Sequence, residues 1–364
     1  MPTPQEVWRG MDRRSRLAAL AVPVVAVTVL AGLLLVLAGK PGLVGDLDPS
    51  PKVTPAPALP PTPTPPPQPT PSPSPTPPGA DPLLGTDGRL TMLLLGSDYR
   101  PAHPGNRTDA IMVVSVDPST RRTAAFSIPR DAVDFPLPES GTYGPKVNSL
   151  YQYLESETGD GGRAMKAAVG RAFGIEVDGY VLLGFAGVKR LVDAIGGVDV
   201  VLDRAYYDPY YSVSRTVTGW GLPAGKSHLD GDDALILARS RKGDNDFGRA
   251  RRQQLLLMAV LDRVRSRGVA GLPRLLAIAA STARTDLPLE RAPELYTVLM
   301  RADSARAQRV VFGPRTYATG RAPGEFALRL DVCRAWIERH FPPPRPFGSW
   351  SPDLSPTTTA LPSP

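Results

Sequence analysis

Apolar residues are spaced very differently along the chain. Leu17 to Gly39 holds no charged residue across 23 positions, long enough to cross a hydrocarbon layer of about 30 Å. Between Pro49 and Pro78, 16 of 30 residues are proline and most of the others are Ser or Thr. A run of that kind buries no core and favours extended polyproline II. Regular periods begin only after Leu84. Thr91–Leu95, Ile111–Val116, Thr123–Ile128, Tyr180–Leu183, Val198–Leu202 and Arg309–Phe312 are short apolar runs and read as strands. Ala164–Phe173, closed by Gly174, and Phe185–Ile195, stopped by Gly196-Gly197, read as helices. Helices are also expected over Leu229–Ala238 and Phe247–Arg267, the latter with Leu255, Leu256, Ala259, Val260 and Val264 on one apolar face. Others recur near Leu272–Ser281, Arg291–Met300 and Val332–His340, so that Val269–Met300 is mostly helical and a candidate subdomain.

This alternation predicts an α/β domain, three-layered α-β-α with a mixed central sheet, preceded by one transmembrane helix and a Pro-rich linker. The divisions are a cytoplasmic start over 1–16, the membrane helix over 17–39, an extracytoplasmic linker over 40–83, the domain over 84–341 and a disordered Pro/Ser/Thr tail over 342–364. Arg9, Arg13, Arg14 and Arg16 precede the apolar run and only Lys40 follows closely, which places the N-terminus in the cytoplasm and the domain outside. A cleaved signal peptide fits less well, because the run exceeds the usual apolar core of such peptides and no small-x-small site follows.

Composition narrows the chemistry. Lys plus Arg number 42 against 35 for Asp plus Glu, a net charge of +7, which suits an anionic partner. The expected membrane topology puts the domain on the side away from the chromosome, so no nucleic-acid partner is expected. The single cysteine, Cys333, forms no internal disulfide or thiolate cluster and reads as a core residue. The histidines His103, His228 and His340 have no metal-ligand spacing.

Five stretches put charge at the end of an apolar element: Gly96-Ser97-Asp98, Asn106-Arg107-Thr108-Asp109, Pro129-Arg130-Asp131, Arg239-Ser240-Arg241 and Asp246-Phe247-Gly248-Arg249-Ala250-Arg251-Arg252-Gln253. Singly, Asp98 and Asp131 suit turns or caps, Asp246 suits a helix cap, and Arg239 with Arg241 suit a solvated edge. Together they suggest a phosphate site. Open α/β sheets bind ligands beyond the carboxyl ends of their strands, and the planar arginine fork grips phosphate oxygens in pairs. Carboxylates beside arginines suggest a hard divalent cation, Mg²⁺, shared with phosphate oxygens.

In this order, and together with Lys146-Val147-Asn148-Ser149, Ile195-Gly196-Gly197-Val198-Asp199-Val200 and Leu229-Asp230-Gly231-Asp232-Asp233-Ala234-Leu235, these motifs resemble the catalytic domain of the LytR-CpsA-Psr family, also labelled transcriptional attenuators, over about Leu90 to Val264. The resemblance implies a phosphotransferase at the cell membrane. Its donor would be a polyprenyl-pyrophosphate-linked glycan and its acceptor peptidoglycan or a related wall glycan. It implies Mg²⁺ at Asp98 and Asp109, and pyrophosphate binding and catalysis by Arg107, Arg130, Arg239, Arg241 and Arg249, with Gln253 one turn beyond Arg249. Asp109 counts among the catalytic set, Lys146 adds a cation near the phosphates, and Asp131, Asn148 and Asp246 fall on motif positions. Arg252 matches the motif but is expected to face elsewhere and to stabilise the helix.

The resemblance also implies an apolar groove for the prenyl chain. Val181, Leu183, Phe185, Val188 and Leu191 would line it, but their pattern favours ordinary core. The tyrosines Tyr206, Tyr207, Tyr210 and Tyr211 suit loop packing better than a sugar-stacking rim. A non-catalytic envelope regulator or lipid sensor and a polyprenyl-pyrophosphate pyrophosphatase are the alternatives. Carboxylates among the arginines favour catalysis over plain anion binding.

Overall fold

The structure is a computed structural model that describes residues 83–98, 106–214, 216–267 and 272–342. Of the segments expected around the domain (1–16, 17–39, 40–83 and 342–364), only Leu83 and Pro342 fall within these residues. Both belong with the domain: Leu83 is buried, and the Pro342 carbonyl accepts a hydrogen bond from the Arg89 guanidinium. No helix among the described residues is long and apolar enough to cross a membrane; the stretch expected to do so lies outside them.

The sheet forms where branched and aromatic residues alternate in short runs. Its strands are β1 (Leu90–Ser97), β2 (Thr108–Val116), β3 (Thr123–Ser127), β4 (Gly179–Gly184), β5 (Ala283–Thr285) and β6 (Gln308–Val311), in the order β5-β4-β1-β2-β3-β6. β1 pairs parallel with β4 and antiparallel with β2, β3 runs antiparallel to β2 and parallel to β6, and β5 closes antiparallel on β4. The sheet is mixed, as expected. Side chains alternate between its faces. Leu93, Ile111, Val113 and Phe126 enter one core with helices α1 (Leu150–Thr158), α2 (Gly161–Phe173) and α8 (Leu330–His340). Met92, Val114, Val116 and Ala125 enter another with α5 (Asp246–Arg267) and α7 (Ala292–Met300). A third core joins α3 (Phe185–Ala194), α4 (Gly231–Arg239) and α5 to a hairpin of Val198–Leu202 with Gly225–Leu229.

Several boundaries differ from expectation for local reasons. The helix expected from Leu229 begins at Gly231, because the Asp230 side chain caps it by accepting from the Asp233 N–H at 2.9 Å, while Leu229 still pairs in the hairpin. Gly196 and Gly197 lie at φ 69° and 76°, a left-handed conformation that ends α3 as expected. Val269–Met300 is no separate subdomain: β5 joins the main sheet, and Leu295 and Val298 fill one of its cores. Helix α6 (Leu272–Thr282) packs beside α3. The tyrosine-rich segment forms its own hairpin, Tyr206–Ser212 with Thr218–Leu222, with Tyr207 and Tyr210 exposed at 61% and 74%. Cys333 is fully buried, as expected, and burial pushes its thiol up to about 12.

Candidate active site

The antiparallel pairing of β1, β2 and β3 gathers the charged motifs at one end of the sheet. Ser97 of β1 faces Thr108 of β2 across a register shift at Gly96. A Cβ on Gly96 would stand 2.8 Å from that of Ala110, so glycine permits the close approach. Asp98 follows β1 directly. Its N–H donates to the Arg107 carbonyl at 3.0 Å, and its Oδ1 accepts from the Arg107 N–H at 2.9 Å. Asp109 sits near the start of β2, and Arg130 and Asp131 just beyond the end of β3.

Arg130 is the hub. Its guanidinium meets Asp109 at 3.2 Å, Asp246 at 3.3 Å and Asp131 at 3.6 Å. Burial alone would lower its pKa, but the three carboxylates outweigh this and raise it. Asp246 also meets Arg249 at 3.0 Å, so it bridges two arginines. The cap expected of it is supplied instead by Asn245, whose Oδ1 accepts from the Gly248 N–H at 2.9 Å. Arg249 is 6% exposed; burial, with help from neighbouring Arg130, lowers its pKa. It stays cationic nonetheless, since arginine does not deprotonate in proteins. Asn148 donates to Asp109 at 3.2 Å, and Gln253 donates to the Ala238 carbonyl at 3.0 Å. The Asp131 carboxyl is pushed up by burial but more strongly down by Lys146 and Arg130, and sits below its ordinary range.

Arg239 ends α4 with its guanidinium 4.2 Å over the Phe185 ring and 3.4 Å from the Tyr211 hydroxyl. Arg241 is exposed two residues on. Their connecting loop is held from beneath by two groups. Arg252, buried as expected away from the site, donates to the Leu237 and Ser240 carbonyls, pairs with Asp244 and stacks on Tyr206. Asp208, 1% exposed, accepts from Ser240 Oγ at 2.6 Å and from the N–H groups of Lys242 and Arg241 at 2.9 and 3.2 Å. Nothing in the sequence signalled Asp208: one carboxylate in a tyrosine-rich stretch looks like any surface residue until the hairpin docks.

The structure brings Asp98, Asp109, Arg130, Arg239, Arg241, Arg249 and Gln253 onto the walls of one cavity of about 640 Å³. Val181, Leu183, Phe185, Val188 and Leu191, expected as core, also line it. A cavity wall and a core share the same apolar period, so the sequence did not separate them. Two candidates stand apart. Arg107 is exposed and off the wall of this cavity, contributing its backbone to Asp98. Lys146 is spent on Asp131 at 2.9 Å and the Gly324 carbonyl at 3.1 Å. Among the described residues no three carboxylate, histidine or cysteine side chains gather as a metal cage. Asp98 and Asp109, both on the cavity wall, fit the way Mg²⁺ is often held, by one or two carboxylates with substrate phosphates completing the shell.

The cavity thus joins an apolar wall to a cluster of four arginines and two carboxylates, Asp98 and Asp109. The chain belongs to the LytR-CpsA-Psr family, whose profile (LytR_cpsA_psr) matches residues 72–314. It is 33% identical over 177 residues to a Bacillus mycoides protein named polyisoprenyl-teichoic acid–peptidoglycan teichoic acid transferase TagU, covering 48% of this chain and 52% of that protein. It is 28% identical over 291 residues to the Corynebacterium glutamicum cell wall biosynthesis protein LcpA, covering 68% and 54%. The chain thus spans about half the length of these relatives. The fold matches that of the TagV crystal structure from B. subtilis with a TM-score of 0.55 at 23% identity, over 71% of this chain and 99% of that one.

Proposed function

We propose that the chain transfers a glycopolymer from a polyprenyl-pyrophosphate carrier to peptidoglycan or a related wall glycan, on the outer side of a membrane to which residues 17–39 tether it. One observation carries this reading. The apolar wall of the 640 Å³ cavity ends on Arg130, Arg239, Arg241 and Arg249, the shape and charge of a prenyl chain joined to a pyrophosphate. The names of the Bacillus mycoides and Corynebacterium glutamicum relatives agree with it.

In this reading the four arginines receive the pyrophosphate oxygens and spread the charge that builds up in transfer. Asp109, Asp131 and Asp246 fix the Arg130 fork before substrate arrives, so no side-chain ordering is needed during the reaction. The acceptor hydroxyl oxygen attacks the glycan-bearing phosphorus. The bond from that phosphorus to the bridging oxygen breaks, and polyprenyl phosphate leaves with the electron pair and takes up the hydroxyl proton. Glycan and acceptor end joined by a phosphodiester. Asp98 and Asp109 would hold Mg²⁺, which when bound neutralises charge on the phosphate oxygens.

Mass spectrometry of lipid extracted from the purified protein, with Arg239→Ala beside it, tests the proposal when paired with a transfer assay. The expected result is polyprenyl phosphate or pyrophosphate on the parent, little on the variant, and glycan transfer by the parent alone. Bound lipid without turnover would make the protein a sensor, and phosphate release without an acceptor would make it a pyrophosphatase. A parent with neither lipid nor transfer overturns the reading.

A further inference from the structure

A second cavity, of about 340 Å³, adjoins the first. The two share four residues, Asp109, Arg130, Arg249 and Gln253, and their walls are otherwise different. They also lie toward opposite faces of the sheet. The larger is walled by Met92, Leu94 and Leu295, which belong to the core under α5 and α7, with Leu95, the partner of Ile111 across β1 and β2, as the exception from the other face. The smaller is walled by Ile111, Ile128 and Phe326, with Phe247 packed on them, which belong to the core under α1, α2 and α8. Alternation along β2 makes the division: Ala110 and Met112 face the first chamber and Ile111 the second.

Resting on the transfer reading above, we propose that the smaller chamber receives the sugar of the acceptor glycan whose hydroxyl attacks. Phosphoryl transfer places attacking and leaving oxygens roughly in line through phosphorus. If the leaving lipid phosphate departs toward the larger chamber, the attacking oxygen arrives from the far side of the shared arginines, where the smaller chamber opens. Its size stands near the lower end of ligand pockets, about 300–1,000 Å³, which suits a single sugar group rather than a polymer. Its lining suits a sugar as well. Phe247 and Phe326 offer ring surface for the sugar's C–H face, and the Glu325 carboxylate has no ion pair among the described residues. Arg249 Nε, on a side chain 7% exposed, is a buried donor without a hydrogen-bond partner.

The test measures binding of two probes to the full chain: farnesyl pyrophosphate for the donor side, and a peptidoglycan disaccharide added in its presence. Gly320 lines the smaller chamber only, and a Cβ there meets no atom within 4 Å. Gly320→Trp should therefore weaken disaccharide binding at least tenfold and change farnesyl pyrophosphate binding less than twofold. Glu325→Ala, at a half-buried position just before the strand Phe326–Leu328, should weaken disaccharide binding severalfold and serves as the check should the tryptophan variant misfold. Unchanged disaccharide binding in both variants, a parallel loss of both probes in a folded variant, or a parent that binds no disaccharide overturns the proposal. A parent that binds the disaccharide but no farnesyl pyrophosphate keeps the chamber as a sugar site and overturns the donor reading instead.

Discussion

Asp208 is the residue on which the position of Arg241 rests, and Asp208→Asn isolates its charge from its shape. One carboxylate oxygen accepts three hydrogen bonds, from Ser240 Oγ and the Lys242 and Arg241 N–H groups, and the other accepts from the Tyr210 N–H at 3.0 Å. Burial pushes the carboxyl up, but these four donors outweigh it and hold it below its ordinary range. A hydrogen bond to a charged acceptor contributes about 1.5–3 kcal/mol and a neutral one about 1 kcal/mol. The amide keeps its oxygen toward three donors only by turning its NH₂ toward the Tyr210 N–H. One bond is lost and three are weakened, and because the four share one group their losses do not add. The net cost is about 2–3 kcal/mol, or roughly 4–12 °C in melting temperature for a domain of this size.

The pH dependence follows from the sign. With a folded pKa below the unfolded value of about 3.9, the carboxylate's contribution is complete above that value and is lost as pH falls through the folded one. The parent should therefore lose stability in that acid range, and the variant should show a shallower loss there. The assays are a thermal melt across pH and amide exchange at Arg241 and Lys242, which also detects opening confined to the loop. An Asn variant with unchanged melting and unchanged protection at those two amides would refute the argument.

Arg249→Lys loses the planar fork that meets both Asp246 and the Asp109 carbonyl, and kcat/KM for transfer should fall by about 100-fold; near-parent turnover would count against a role at phosphorus. Val188→Trp fills the larger cavity from α3 and should strip co-purifying lipid while leaving the melt within a few degrees, which lipid extraction and calorimetry would check. Chelating divalent ions should slow transfer, and Asp98→Asn should raise the Mg²⁺ concentration needed for half-maximal rate; a rate indifferent to chelator removes the metal. Cys333, buried with its thiol pushed up to about 12, should resist alkylation until denaturant is added, and rapid labelling of native protein would contradict its placement.

Much of this was legible because the signals were local. Strand runs and the helix stop at Gly196-Gly197 are written in short-range periodicity and backbone freedom. The arginine motifs stood out because charge directly follows apolar strands. Helix α1 was missed: only Leu150, Tyr151 and Leu154 of its nine residues are buried, too short a stripe to register as a period. Strand β5 is three residues long and exists by pairing with β4. Asp208 and the division of labour at Asn245 and Asp246 depend on distant segments meeting. The groove was misread for a different reason: a wall facing a cavity and a wall facing another wall need the same residues.

Helix α5 carries Arg249 and Gln253 near its start, while Leu256, Leu257, Val260, Leu261 and Val264 continue along the same cavity. It therefore serves as a gauge. The eleven steps from Gln253 to Val264, at about 1.5 Å each, give a wall roughly 17 Å long. In the proposed reading, a prenyl chain longer than that emerges from the far end. The protein would then read the first stretch of its carrier and be indifferent to the remaining length, so lipids with tails of different lengths would serve equally.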